Sequence, residues 1–197
     1  ASKAAAEIAI RSWKLSFGSD FLNLNIATAR SGNVIGGGDW AKDRIIPDIV
    51  NSLIKKEKIG IRNPQSIRPW QHVLEPLNGY MLLGEKLYKG ENSKIWKRYQ
   101  SNAFNFGPKD SSHKSVKDLV ECALKFWDGK WEKLTESNAP LESNLLKLVS
   151  DKAYIELRWQ AKWEFKKTVE KTINWYLKIH NGYSPLKCCL AVIEDYQ

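Results

Sequence analysis

The chain has 197 residues, of which 43% are hydrophobic, and its 31 basic and 22 acidic side chains give a formal net charge of +9. This apolar content suffices for a folded core and excludes a disordered chain, while no apolar run approaches the roughly 20 residues that a membrane helix needs. Three cysteines without CxxC spacing favour reduced thiols over a disulfide framework or a metal site, so a cytoplasmic protein without a metal is predicted.

The positive charge predicts an anionic partner. Nucleic acid is one candidate, motivated by the charge and by the nine tryptophans. The lysines are scattered among acidic and apolar residues, however, and no zinc-finger, RNP-like or basic-zipper pattern accompanies them. Solvated helix faces explain most of these lysines, and no nucleic-acid partner is predicted.

The first part of the chain alternates predicted helices and strands. Apolar residues recur at helical spacing over residues 2–17, and Gly18 ends this helix. Residues 22–29 alternate apolar and polar side chains, which predicts a strand. Pro47 suits the first turn of a helix that runs to about residue 53. Residues 59–61 form a short predicted strand.

The second part continues in the same manner. A helix is predicted over residues 75–87, a strand over 103–106, and a helix from the capping residue Ser115 to about Trp127. The remaining predictions are short strands at 131–134 and 145–149, helices at 150–157 and 164–180, and one or two helical turns within 184–197. This alternation predicts an α/β or α+β architecture.

Two loops carry the residues best suited to bind a ligand. Residues 61–73 place Arg62, Arg68 and Trp70 in a segment interrupted by two prolines. A guanidinium offers a planar fork of donors that matches a phosphate or a carboxylate, although a surface loop with a packed tryptophan explains the same residues. The second loop contains three consecutive glycines at 36–38, which permit backbone conformations closed to other residues.

These loops and several other segments resemble a known family, the CDP-glucose 4,6-dehydratases. The matching segments are ARSGNVIGGGDW at 29–40, DRIIP at 43–47, residues 61–76, NFGP at 105–108, DKA at 151–153 and LRW at 157–159. The family belongs to the extended short-chain dehydrogenase/reductase superfamily, as do the dTDP-glucose and GDP-mannose dehydratases and the nucleotide-sugar epimerases. The similarity covers nearly the whole chain. Relatives commonly have glycine at the position of Arg158.

The resemblance implies an α/β fold, the C-terminal part of a Rossmann-type extended short-chain dehydrogenase/reductase with its small α/β substrate-binding domain. Residues 1–35 would be the tail of the NAD-binding Rossmann domain. Residues 36–197 would be mainly the nucleotide-sugar-binding domain, with segments near 70–108 returning to the Rossmann part. The implied partners are CDP-glucose or a related nucleotide sugar and, in the full-length enzyme, a second copy in a homodimer.

The implied reaction is dehydration of CDP-glucose to CDP-4-keto-6-deoxyglucose, with bound NAD as an internal redox carrier. The family's catalytic tyrosine would precede residue 1, and no glycine-rich phosphate turn of the dinucleotide-binding type occurs in the sequence. We therefore expect the second half of an enzyme, inactive alone. Alternatives are another nucleotide-sugar 4,6-dehydratase or epimerase, a non-catalytic nucleotide-sugar-binding fragment, and a basic nucleic-acid-binding protein.

The resemblance assigns two residues to the cofactor. Lys3 matches the catalytic lysine that binds the nicotinamide ribose and lowers the pKa of the tyrosine, since a cation stabilises a nearby phenolate. Arg30 is assigned to NAD as well. Read without the resemblance, Lys3 is an ordinary exposed helix residue.

Four residues are assigned to the substrate. Asn33 matches the residue that binds the sugar nucleotide, and Arg68 matches the arginine that clamps its diphosphate. Arg62 and Arg44 are expected to assist. The competing interpretations are an Asx turn at Asn33 and solvent-exposed charge at the arginines, with Arg44 paired to a neighbouring aspartate.

Three further residues of the arginine segment are expected to be structural. Trp70 is expected to pack the loop against the core, since an indole contributes a large buried area. His72 is expected to be a satisfied structural histidine, and Glu75 to serve the start of its own helix.

Overall fold

The structure, a computed structural model, describes residues 2–17, 25–89, 103–134 and 146–197. The helices in these ranges are α1 (Ser2–Phe17), α2 (Ile45–Lys55), α3 (Leu74–Lys89), α4 (Val116–Ala123), α5 (Asp151–Leu157), α6 (Phe165–His180) and α7 (Pro185–Tyr196). The strands are β1 (Thr28–Ser31), β2 (Val34–Ile35), β3 (Ile59–Ile61), β4 (Ile67–Pro69), β5 (Gln71–His72), β6 (Ala103–Phe106), β7 (His113–Ser115) and β8 (Trp131–Lys133). A single 3-10 turn, Asp110–Ser112, precedes β7.

The strands of the described residues pair two by two. β1 pairs with β6, β2 with β5 and β3 with β8, each in parallel, whereas β4 and β7 are antiparallel. Parallel neighbours need a long crossover, and helices supply it here: α2 lies between β2 and β5 in sequence, and α3 and α4 lie between β3 and β8. The predicted α/β fold is confirmed.

Two apolar clusters form the core. The larger one joins β2, α2, β3, α4, α6 and α7, and the smaller one joins α3, β6 and α5 with the segment that follows it. In α2 the buried residues Ile46, Ile49, Val50 and Leu53 recur at helical spacing, which presses one face of this helix on the larger cluster. α1 buries no residue within the described part of the chain.

Most predicted elements are present, with altered bounds. The predicted strand at 22–29 lies partly outside the described residues; residues 25–27 are not in a strand, and residues 28 and 29 begin β1, which runs to residue 31. Residues 146–149 are not a strand, and residue 145 lies outside the described part. The helix that begins after Ser115 ends at Ala123 instead of Trp127, and the predicted terminal turns are the full helix α7. No helix of the described ranges has the length and apolarity to cross a membrane.

Glu75 lies in the first turn of its own helix, as predicted, but its carboxylate bonds to other segments of the chain. Its carboxylate is fully buried and accepts hydrogen bonds from the backbone N–H groups of Lys162 at 2.9 Å and Trp163 at 2.7 Å. The Tyr196 hydroxyl donates to the same carboxylate at 2.8 Å. These bonds attach the segment before α6 and the end of α7 to α3. Burial raises the pKa of Tyr196, so the hydroxyl keeps its proton and donates to this carboxylate at neutral pH.

Candidate functional site

A cleft of about 690 Å³ opens where the end of β2, the start of α2 and the β3–β4 segment meet. Its wall includes Asn33 from the β1–β2 turn, Arg44 from the start of α2, and Arg62 and Arg68 from either side of the loop between β3 and β4. All four residues that the sequence assigned to the substrate therefore line one cleft. Lys3 and Arg30 do not line it.

Two of the arginines pair with aspartates of the same wall. The Nη1 atom of Arg44 lies 3.0 Å from the Asp39 carboxylate, and the Nη2 atom of Arg62 lies 3.2 Å from that of Asp43. The side chains of Arg44 and Asp43 are 67% and 81% exposed. Exposed pairs of this kind contribute only about 0.2–1 kcal/mol.

The aspartates of the cleft differ in their surroundings. A hydrogen bond from the backbone N–H of Ala41, assisted by Arg44, lowers the pKa of Asp39. Desolvation, with repulsion from Asp43, raises the pKa of Asp48. Asp39 is thus the more firmly ionised of these two carboxylates.

Arg68 is held by the short strand β4. This strand pairs with β7, where Arg68 lies opposite Lys114, and the guanidinium donates to the carbonyl of Ile67 at 2.9 Å. The next residue of the strand, Pro69, packs directly against Gly32. A Cβ on Gly32 would lie 2.8 Å from the side chain of Pro69. The half-buried Arg68 therefore enters the cleft from a supported backbone.

Trp70 anchors the same segment from the core side. Its side chain is 2% exposed, and its indole N–H donates to the carbonyl of Lys114 at 2.9 Å. This is the packing role predicted for it.

His72 is a structural residue of β5. Its Nδ1 atom accepts from the backbone N–H of Leu74, and its ring packs against Trp163. Burial, with repulsion from Lys171, lowers the pKa of His72 to about 4. The ring is therefore neutral near pH 7, in agreement with the predicted structural role.

Asn33 lies in the turn between β1 and β2, at the edge of the cleft. Its backbone carbonyl accepts the N–H of Gln71 at 3.1 Å, which fixes the turn after β1 against β5. The site role assigned to Asn33 stays a prediction.

The triple-glycine loop forms another wall of the cleft and rests on α6. A Cβ on Gly37 would overlap the indole of Trp175, and Gly38 has a φ of +94°. The hydroxyl of Tyr176 donates to the carbonyl of Asp39 at 2.7 Å and lies 3.3 Å from that of Gly36. The sequence predicted the helix at 164–180 but not its contact with this loop, because helical spacing indicates burial and not which distant loop is contacted.

Arg30 lies where β1 meets α1, the helix that carries Lys3. Glu7 of α1 accepts hydrogen bonds from Arg30 at 2.7 Å and Thr28 at 2.9 Å, and the bond from Arg30 lowers the pKa of Glu7. Lys3 precedes Glu7 by four residues, so both belong to the helix face that meets β1. Lys3 is exposed and its assigned role stays a prediction, while Arg30 is engaged by a carboxylate.

The described ranges contain no group of three or more His, Cys, Asp or Glu side chains that could hold a metal ion. The polar chemistry of the cleft is that of arginine, aspartate and asparagine.

Comparison with known proteins gives one curated relative of high similarity. No family model matches the chain. The chain is 40% identical over 201 aligned positions to the CDP-glucose 4,6-dehydratase of Salmonella typhimurium, with 99% of this chain and 54% of the relative covered. The resemblance to the CDP-glucose 4,6-dehydratases is confirmed. The chain spans about half the length of this relative.

Solved structures confirm the fold. A dTDP-glucose 4,6-dehydratase from Bacillus anthracis, solved with NAD, superposes with a TM-score of 0.69 at 20% identity, covering 94% of this chain and 53% of that one. A UDP-glucuronic acid 4-epimerase from Bacillus cereus, solved with UDP-glucuronic acid and NAD, gives a TM-score of 0.63 at 13% identity, covering 83% and 49%. The fold is that of the extended short-chain dehydrogenases/reductases.

Proposed function

We propose that the cleft binds the diphosphate of a CDP-sugar and that the chain supplies the nucleotide-sugar-binding half of a CDP-glucose 4,6-dehydratase. The observation that carries this proposal is the convergence of Asn33, Arg44, Arg62 and Arg68 on one cleft. The 40% identity to the Salmonella dehydratase supports the choice of CDP-glucose as substrate.

The arginines provide the recognition chemistry. A diphosphate presents several oxygens and more than one negative charge, and guanidinium groups bind such oxygens bidentately. Arg68 enters from a paired strand and is our principal clamp residue. Arg44 keeps its pair with Asp39 and offers its remaining N–H donors, while Arg62 exchanges its weak pair with Asp43 for the phosphates. Asn33 orients the nucleotide sugar at the cleft edge.

We propose NAD as the cofactor of the complete enzyme, where it would accept and return a hydride. The described residues offer it only Lys3 and Arg30, and Arg30 is already bound to Glu7. No glycine-rich strand-to-helix turn that would hold its pyrophosphate occurs in the 197 residues. These residues do not form an NAD site by themselves, and the chain's contribution is to bind and orient the nucleotide sugar.

Calorimetry tests the binding proposal. We expect CDP and CDP-glucose to bind the unsubstituted chain, and Arg68→Ala to weaken CDP roughly 10-fold or more, since a hydrogen bond to a charged group contributes about 1.5–3 kcal/mol. Arg11→Ala removes the same charge from α1, away from the cleft, and should leave CDP affinity unchanged. Failure of CDP to bind, or an equal loss in both variants, would contradict the proposal.

Turnover is a separate question. We propose that the 197-residue polypeptide alone does not dehydrate CDP-glucose, because the catalytic tyrosine implied by the resemblance is not among its residues. Incubation with NAD and CDP-glucose should give no product with the absorbance of a 4-keto sugar in base. Appearance of that product would overturn this part of the proposal. The cytoplasmic location and the homodimer of the complete enzyme stay predictions.

A second candidate is a site for another nucleotide sugar. It is favoured by the structural neighbours, whose names specify dTDP-glucose and UDP-glucuronic acid. The calorimetric series should therefore include UDP and dTDP beside CDP. Tighter binding of UDP or dTDP would select this candidate.

A further inference from the structure

The triple-glycine loop of the cleft depends on helix α6, which is distant in sequence. Tyr176 is 1% exposed, and its hydroxyl donates to the carbonyl of Asp39 at 2.7 Å. The ring of Tyr176 also meets the exposed Trp40 edge to face, with centroids 5.1 Å apart. One buried side chain thus contacts the end of the loop through both its hydroxyl and its ring.

Asp39, at the end of this loop, also contacts Arg44 of the cleft. The Asp39 carboxylate accepts from the backbone N–H of Ala41 at 3.0 Å and from Arg44 at 3.0 Å. A shift of the Asp39 backbone would move both bonds. The hydroxyl of Tyr176 is therefore connected to the guanidinium of Arg44 through a single residue.

We propose that Tyr176 is a positioning residue for anion binding in this cleft, because its hydroxyl fixes Asp39 and Asp39 orients Arg44. This inference rests on the proposed function. Burial raises the pKa of Tyr176 to about 12, so the hydroxyl keeps its proton and donates throughout the neutral range. The glycine at 37 belongs to the same arrangement, since any larger side chain there would collide with the neighbouring Trp175.

Tyr176→Phe tests the inference, because it removes the hydroxyl and keeps the ring. We expect CDP to bind about 5-fold more weakly, in line with the loss of one hydrogen bond, and the affinity for cytidine, which lacks phosphates, to stay unchanged. The matched control is Tyr80→Phe, which removes a hydroxyl bond to Ser31 outside the cleft wall and should alter neither affinity. An equal effect on CDP and cytidine would indicate a merely structural role and overturn the inference.

A double-mutant cycle identifies the route of the effect. If Tyr176 acts through Arg44, Tyr176→Phe should cost no further CDP affinity in an Arg44→Ala background. Additive losses would overturn the proposed connection. Tighter CDP binding by Tyr176→Phe would do the same.

Hydrogen exchange separates this inference from the proposed function. Backbone amides of residues 36–41 should exchange several-fold faster in Tyr176→Phe than in the unsubstituted chain, and Tyr80→Phe should leave them unchanged. Unchanged exchange in Tyr176→Phe would overturn the positioning role even if CDP binds. Failure of the unsubstituted chain to bind CDP would overturn the proposed function and the role of Tyr176 in CDP affinity. Faster exchange in Tyr176→Phe would still show that the Tyr176 hydroxyl holds the loop in place.

Discussion

At the scale of single residues, Arg158 has a left-handed backbone conformation that suits glycine better. It ends α5 with a φ of 55° and a ψ of 28°, and its N–H closes the helix on the carbonyl of Tyr154 at 3.0 Å. The left-handed region costs a residue with a Cβ about 1–2 kcal/mol, and glycine adopts it without that penalty. Glycine, which the resemblance led us to expect at this position, would adopt this geometry without strain.

We predict that Arg158→Gly stabilises the chain. Relief of the left-handed strain exceeds the added entropy of glycine in the unfolded state, and the net gain should be about 0.5–1 kcal/mol in the free energy of unfolding. Urea denaturation measures this difference. Lys56→Gly, at the end of α2 with a φ of 57°, is a matched position and should shift stability in the same direction. A loss of stability in Arg158→Gly would contradict the prediction.

At the scale of elements, α4 shows how local sequence signals are realised. The hydroxyl of Ser115 accepts the N–H of Asp118 at 3.0 Å, and the Asp118 carboxylate accepts the backbone N–H of Ser115 at 3.0 Å. This reciprocal capping joins residues three positions apart, and the cap was predictable at Ser115. The helix begins beside the cleft, where the N–H of Val116 donates to the carbonyl of Ser66 at 3.0 Å.

We predict that Ser115→Ala lowers the free energy of unfolding by about 1 kcal/mol, because the first turn of α4 loses its side-chain acceptor. Ser150→Ala is the control, since Ser150 precedes α5 without a side-chain capping bond and should change stability little. Chemical denaturation of both variants provides the comparison. Equal losses in the two variants would show that the capping bond of Ser115 contributes nothing.

At the scale of the whole molecule, the sequence pointed to the residues that line the cleft but not to the residue of α6 that holds the cleft loop. The four cleft residues were assigned through motifs that lie within 36 residues of one another, from Asn33 to Arg68. Tyr176 contacts the carbonyl of Gly36 across 140 positions, and such long-range pairings leave no periodic signal. Strands of two or three residues, such as β2 and β5, are also too short to show an alternation.

The net charge of the whole chain does not predict the net charge of the cleft. The chain carries a formal net charge of +9. Of the described residues, three arginines and three aspartates line the cleft, so its formal charges balance. Anion binding there should depend on local exchange of partners more than on long-range attraction, because exposed charges beyond about 8–10 Å are screened at physiological salt.

Asp43→Asn tests this view of the cleft. The side chain of Asp43 is 81% exposed beside Arg62, and its φ of 61° is a conformation that asparagine tolerates well. Removing its charge leaves Arg62 without this competing carboxylate, so CDP should bind about 1.5- to 5-fold more tightly, equivalent to the ~0.2–1 kcal/mol of an exposed pair. Asp151→Asn changes the net charge equally at the start of α5, outside the cleft wall. If calorimetry finds the same gain in both variants, overall charge governs binding and the local-exchange account is wrong.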